Sequence, residues 1–228
     1  MKKVEDVAVI IQARLSSQRC PQKMIRPFAD TTLMDIVLEK LEKSSIPNQN
    51  VWCSVYEPEL KDLCSKYPFN VFNRSEKSAM SEGTPLTEIY EWWDEIPQKY
   101  VVLINACCPF VKTETIEGFF NDYLKSDTDG MFAVMDKKNY FWDEDGTFLT
   151  PLKEDVMNTK TAKIIREAAH CLYAGSLEKI GQGVWMGDFN KPNDIELWSM
   201  AERECLDIDY EWQFKMCESL YKAAKNEK

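Results

Sequence analysis

The sequence predicts an α/β fold with a mostly parallel sheet, and two observations carry that expectation. Short runs rich in Val and Ile alternate with longer runs whose apolar residues recur every three to four positions, which is the pattern of βαβ units. At 228 residues the chain can bury one full core of this kind, so a single domain spanning 1–228 is expected.

The elements follow in order. Val7 to Ile11 is a strand-sized apolar run. A helix is predicted over Leu33 to Ser44, where Leu33, Ile36, Val37, Leu38 and Leu41 form a stripe while Glu39, Lys40, Glu42 and Lys43 stay in water. Val51 to Val55 reads as a strand, Pro58 to Tyr67 as a helix and Asn70 to Phe72 as a short strand. Thr84-Pro85 is the pattern of an N-cap followed by proline at the first helical position, opening a helix to about Glu95. Val101 to Ile104 is a central strand, and Thr113 is placed to cap a helix to about Lys125 with Ile116, Phe119, Phe120 and Tyr123 inward. Gly130 to Met135 is the next strand.

The pattern then changes. Tyr140 to Thr150 has the form of a hairpin turned at Asp145-Gly146, and the polar stretch to Lys163 has no clear period. Residues 136–168 are therefore expected to leave the main sheet. The chain returns with a strand near Cys171 to Ala174, a short helix near Ser176 to Ile180, a strand over Ile195 to Ser199 and a final helix from about Glu211 to Ala224.

Composition excludes several functions. The longest apolar runs fall far below the ~20 residues of a membrane helix, and no apolar segment with a small-residue cleavage site follows Met1, so a soluble cytoplasmic protein with no membrane partner is expected. The eight cysteines form no C-x-x-C pair and read as reduced thiols. A formal charge of −10 argues against nucleic acid as the main partner, although a small anion in a local basic pocket is compatible with it. With His170 as the single histidine, a Ser-His-Asp triad would depend on it alone and a His-rich zinc site is excluded. Phosphate chemistry led by Lys, Arg and a carboxylate-held metal fits better.

The segment Ala13 to Lys23 follows the first strand, where open α/β sheets bind ligands. Two arginines, a lysine and two serines lie between Arg14 and Lys23, on a loop whose N–H groups are not committed to a helix; such a loop can surround a triphosphate. It contains no glycine, so it is neither a P-loop nor a dinucleotide fingerprint.

The words Ile11-Gln12-Ala13-Arg14-Leu15-Ser16-Ser17-Gln18-Arg19-Cys20-Pro21-Gln22-Lys23, of the form A-R-x-x-S-x-R-x-P-x-K, resemble the N-terminal signature of the cytidylyltransferases that activate sialic, other nonulosonic and 3-deoxy-octulosonic acids. Closely similar words open a group associated with spore-coat polysaccharide synthesis. The resemblance implies a three-layer, Rossmann-like nucleotide-diphospho-sugar transferase fold, and CTP and a small anionic acceptor as ligands. It also implies that Arg14 and Lys23 contact the CTP phosphates and are catalytic, that Ser17 and Arg19 shape the loop, and that Ala13 belongs to the nucleotide site. Relatives often carry Asn after the lysine, where this chain has Met24.

Other segments extend the resemblance. Asp207 and Asp209 in Leu206-Asp207-Ile208-Asp209-Tyr210-Glu211 fall on one side of an extended segment and suit Mg²⁺ (or Mn²⁺), while Asp209 is equally placed to cap the last helix. The resemblance implies the metal role, with Asp209 catalytic. Val102 to Phe110 is similar to the family's central strand and loop, with Asn105 as a nucleotide contact and Cys107 where some relatives have aspartate. Buried packing is expected for Cys107, with a nucleophilic thiol as the alternative. Arg74, after a short strand, matches an arginine that approaches the base, and Glu82, Gly83 and Thr84 would lie near base and ribose, with surface-loop roles as the alternative for all three.

Lys160 in Asn158-Thr159-Lys160-Thr161 matches the cation presented to the sugar carboxylate, or is a solvated lysine. His170 and Tyr173 in Ala169 to Gly175 match the acceptor strand, with His170 where glycine is common. The alternative for His170 is a structural histidine. The family also implies a homodimer formed through 136–168. Two rival functions remain at this level: a glycosyltransferase-like enzyme using a nucleotide-sugar donor, and a catalytically degenerate nucleotide-binding homologue.

Overall fold

In a computed structural model, which describes residues 1–80, 85–150 and 158–226, seven strands form one sheet. They are β1 (Val7–Gln12), β2 (Val51–Val55), β3 (Asn70–Asn73), β4 (Tyr100–Ile104), β5 (Gly130–Lys137), β6 (Ile165–Ser176) and β7 (Ile195–Ser199). The spatial order is β3-β2-β1-β4-β6-β5-β7, with β6 antiparallel to both its neighbours and the other pairs parallel. After β1 the chain builds outward to β2 and β3, then crosses back to place β4 on the other side of β1. The carboxyl ends of β1 and β4 therefore flank a topological switch point, the place where open α/β sheets form a crevice.

Seven α-helices accompany the strands among the described residues: α1 (Leu33–Glu42), α2 (Pro58–Cys64), α3 (Glu76–Ala79), α4 (Leu86–Ile89), α5 (Thr113–Lys125), α6 (Leu177–Gly181) and, after the last strand, α7 (Glu211–Asn226). The two-residue period of β1 makes the layers. Val7, Val9 and Ile11 pack in one core with α1, α5 and α7, while Ala8 and Ile10 pack in a second with Trp92, Leu177 and Ile180. These three layers agree with the expected architecture. No helix among the described residues is long and apolar enough to cross a membrane, and all eight cysteines are free.

Four expectations are corrected. The helix expected to run to Glu95 is interrupted at Tyr90, giving α4 and a separate 3-10 turn over Glu91–Asp94. The break buries Trp92 and lets its indole N–H donate to Gln12 Oε1 at 2.8 Å, a tertiary bond with no local sequence signal. Thr84 lies outside the described residues. Thr113 is already helical and the cap position is Lys112, whose N–H donates to the Glu204 carboxylate at 3.0 Å; a distant acid replaces a local cap.

The excursion is shorter than 136–168. Asp136 and Lys137 pair with Arg166 and Ile165, so the sheet holds 136–137 and 165–168, and among the described residues the chain is outside it over 138–150 and 158–164. Its expected hairpin is present as the Trp142–Phe148 bridge, with Gly146 at φ +82° in the turn. Residues 151–157 lie outside the described residues. Finally, β6 is 12 residues long, because its polar first half gains its order by pairing with β5.

Candidate functional site

Beyond β1 the loop is shaped by its own backbone. The Ala13 N–H donates to Ser54 O at 3.1 Å, continuing the β1–β2 ladder, and the Cys20 N–H donates to Ser17 Oγ at 3.4 Å. Gln22 takes φ +53°, so the left-handed residue of this glycine-free loop is neither Leu15 nor Gln18. Arg14 donates to Ala79 O at 3.0 Å. Arg74, at the end of β3, is buried and ties three segments together: Nε donates to Ser78 Oγ, Nη2 to Ser78 O and Nη1 to Ala13 O. Burial brings its guanidinium down to about 10.

Two adjoining clefts open at the switch point and share Gln12, Ala13 and Arg14. The first, about 410 Å³, is lined on its other sides by Arg74, Tyr90, Asn105, Tyr173 and Trp185. The second, about 420 Å³, is lined by Ser17, Arg19, Lys23, Met24, Cys107 and Asp209. The second has three cations in its wall, Arg14, Arg19 and Lys23, beside the carboxylate of Asp209.

Asp209 reaches this wall from a segment far along the chain. Its carboxylate pairs with Arg19 at 3.0 Å and Lys23 at 3.5 Å. It does not cap α7. The side chain of Gln213 accepts the N–H groups of Asp209 and Tyr210, each at 2.8 Å, so the glutamine caps the helix and the aspartate is left for the cleft. Asp207 sits deeper, and its Oδ1 is buried with no hydrogen-bond partner among the described residues. Burial, then the neighbouring Asp209, raises the Asp207 carboxyl above the ordinary range, against the opposing pull of Lys23, His170 and Asn105. Lys23 is held above the usual lysine value: burial opposes its charge, and interaction with Cys107 and the charges of Asp209 and Asp207 more than offset that.

Cys107 is half-buried and lines the second cleft beside Lys23, which corrects the expectation of simple core packing. Burial pushes its thiol up to about 11, so it is protonated at neutral pH and a poor nucleophile. Asn105, in the wall of the first cleft, has its Nδ2 donating to His170 O at 2.9 Å and its Oδ1 accepting from the Cys107 N–H at 2.9 Å.

His170 lies in a bulge where β6 carries extra residues between its pairs with Val134 and Phe132, and its φ is +53°. Its Nδ1 is 3.3 Å from the Tyr173 hydroxyl. It is exposed beside the first cleft, and Tyr173 is in its wall. Lys160 is not brought to either cleft. It stands in an exposed turn held by the Asn158 side chain, whose Oδ1 accepts the Lys160 N–H at 2.9 Å. Glu82, Gly83 and Thr84 lie outside the described residues.

Sequence reasoning missed Tyr90 and Trp185. The Tyr90 and Trp185 rings meet at 5.1 Å, and Trp185 covers Gly175, where a Cβ would come within 3.1 Å of the indole. Only tertiary packing reveals either. Gln12 had a signal in its place at the end of the strand, and its Nε2 donates to Ile89 O at 3.3 Å. No group of three or more His, Cys, Asp or Glu converges on a metal position among the described residues, which leaves the Asp207 and Asp209 pair.

Comparison with known proteins adds to this geometry. A family model described as Cytidylyltransferase matches residues 8–173. The spore coat polysaccharide biosynthesis protein SpsF of Bacillus subtilis is 24% identical over 138 residues, covering 58% of this chain and 55% of that protein. The 3-deoxy-manno-octulosonate cytidylyltransferase of Rickettsia felis is 29% identical over 126 residues, covering 54% of this chain and 48% of that protein. The chain thus spans about half the length of the curated relatives it matches.

Among solved structures, a CMP:2-keto-3-deoxy-manno-octonic acid synthetase complexed with CTP aligns over 96% of this chain and 99% of its own, with a TM-score of 0.69 at 11% identity. A 4-diphosphocytidyl-2C-methyl-D-erythritol synthase from Anaerococcus prevotii aligns over 95% and 96%, with a TM-score of 0.65 at 12% identity. At such identities these likenesses establish the fold.

Proposed function

The chain belongs to the cytidylyltransferase family, and from that premise we propose that it transfers CMP from CTP to a hydroxyl of a sugar acid, releasing pyrophosphate. The observation that carries the reading is the meeting of Lys23 with Asp209 at 3.5 Å, in a cleft at the carboxyl ends of β1 and β4. It joins the basic loop to the acidic segment at the switch point.

In this reading the second cleft takes the triphosphate and the first takes the nucleoside and acceptor. Arg14, Arg19 and Lys23 neutralise the phosphates as the acceptor oxygen attacks the α-phosphorus in line and pyrophosphate leaves. Ser17 keeps the loop in shape, while Ala13, Arg74 and Asn105 line the nucleotide side. Tyr173 and the adjacent His170 border the acceptor. Lys160 lines neither cleft, and its role toward the sugar carboxylate rests on the sequence match alone.

A divalent ion, Mg²⁺ or Mn²⁺, fits Asp207 and Asp209. The buried Asp207 Oδ1 has no other partner among the described residues, and such an ion is typically held by one or two carboxylates together with substrate phosphates. When bound, it would polarise the α-phosphate and lower the pKa of the attacking hydroxyl. A cytoplasmic homodimer formed through 136–168 completes the proposal.

The test is pyrophosphate release from CTP against a panel of ulosonic acids and other anionic acceptors. We expect CTP-dependent, divalent-ion-dependent release with one of them, lost in Asp209→Ala while the circular dichroism spectrum is unchanged. Turnover unaltered by Asp209→Ala would refute the metal assignment. Reaction only with nucleotide-sugar donors would instead favour a glycosyltransferase, and no calorimetric heat with CTP or CMP would favour a degenerate homologue.

A further inference from the structure

Asp209 is already engaged by two of the protein's own cations, and both approach the same oxygen. Arg19 Nη2 is 3.0 Å and Lys23 Nζ 3.5 Å from Asp209 Oδ1. The two cations differ in freedom. The Lys23 side chain is 11% exposed and also donates to Ile208 O at 2.5 Å, whereas the Arg19 side chain is 54% exposed and rests over the Tyr210 ring at 5.0 Å. Asp207 Oδ1, two residues away along the chain, has no such partner among the described residues.

A divalent ion approaching Asp209 would meet two like charges at the atom it must bind, and like charges at contact distance repel strongly in a partly buried site. Both side chains also line the cleft assigned to the triphosphate. Phosphate oxygens there offer them stronger, multiply charged partners than one carboxylate oxygen does. Lysine has a flexible four-carbon stem, and Arg19 is solvent-accessible, so neither needs the fold to open in order to turn toward phosphate.

We propose that Arg19 and Lys23 form a built-in counter-ion that keeps divalent cations off Asp209 until a triphosphate draws both side chains away, so that cation and nucleotide are taken up together. The nucleotide half of this inference rests on the CTP reading above. The counter-ion half does not. Its consequence is a protein with little affinity for free metal, whose carboxylates become ligands only when the substrate phosphates are present.

The test measures Mn²⁺ binding to the full chain by electron paramagnetic resonance, with no nucleotide, with a non-hydrolysable α,β-methylene analogue of CTP, and with inorganic tripolyphosphate. Without nucleotide, the Arg19→Gln/Lys23→Met double variant should bind Mn²⁺ about tenfold more tightly than wild type, with Lys23→Arg unchanged because the charge remains. Adding Asp209→Asn to the double variant should abolish the gain. Arg19→Gln alone, at an exposed position, should give part of the gain and covers the case in which Lys23→Met does not fold.

In wild type, the CTP analogue should raise Mn²⁺ affinity. If tripolyphosphate raises it and the CTP analogue does not, the counter-ion stands and the CTP reading fails. Tight Mn²⁺ binding by nucleotide-free wild type, or no gain in either Arg19→Gln or the double variant, would overturn the proposal.

Discussion

The backbone N–H of Leu15 donates to Glu57 Oε1 at 2.7 Å, so the loop after β1 is held from the end of β2 as well as from its own strand. This bond fixes the loop just before its serines and Arg19.

Glu57→Ala should therefore weaken the loop, since an unsatisfied N–H in a part-buried site costs about 1–3 kcal/mol. We expect a lower Tm and roughly tenfold weaker binding of CTP, the fold-change that about 1.4 kcal/mol represents. Glu57→Gln keeps an acceptor oxygen and should stay close to wild type. Thermal melts and calorimetric CTP titrations of the two variants check this; equal behaviour of Ala and Gln would refute the role.

Asp207 gives a pH-dependent prediction. Burial and Asp209 raise its carboxyl above the value of 3.8 expected in the unfolded chain, so the folded state holds the proton more tightly. The stability this contributes is full below the unfolded value and is lost as pH rises through the folded one. At neutral pH the buried carboxylate is a cost. Asp207→Asn should raise Tm by a few degrees near pH 7, with the gain shrinking toward pH 4, while pyrophosphate release is lost. A gain of the same size at both pH values would show that the charge is not its cause.

His170 carries backbone strain, since a side chain at φ +53° is disfavoured by about 1 kcal/mol where glycine is not. His170→Gly should be more stable than His170→Ala by about that amount in urea titrations. The comparison removes the same imidazole in both variants, so any difference reads the backbone alone. Equal stabilities would place the strain elsewhere in the bulge.

Much of the fold was legible because its signals are local. Val51–Val55 and Ile195–Ser199 have the predicted bounds, and the stripe of α1 is buried as its periodicity requires. The misses share a cause. The break at Tyr90 serves the Trp92–Gln12 bond, the cap of α5 comes from Glu204, and the polar half of β6 is ordered by β5. In each case a partner distant in sequence overrides the local preference.

The site divides in the same way. The basic character of the loop from Ala13 to Lys23 and its place beside a cleft could be read because its charges lie within one short segment at the end of a strand. Whether Asp209 capped a helix or faced that loop could not be read, because both uses need the same residue at the same place; Gln213 took the cap and left the carboxylate to Arg19 and Lys23. Lys160, matched by sequence to the site, lines neither cleft, while Tyr90 and Trp185 line the first with no local signal. The sequence by itself determined a mostly parallel α/β sheet and the basic loop at the end of its first strand, since strand periodicity and short-range spacing are properties of neighbouring residues. Only the tertiary structure decided which distant groups meet that loop, because strand order and the burial of Asp207 arise from contacts across the whole chain.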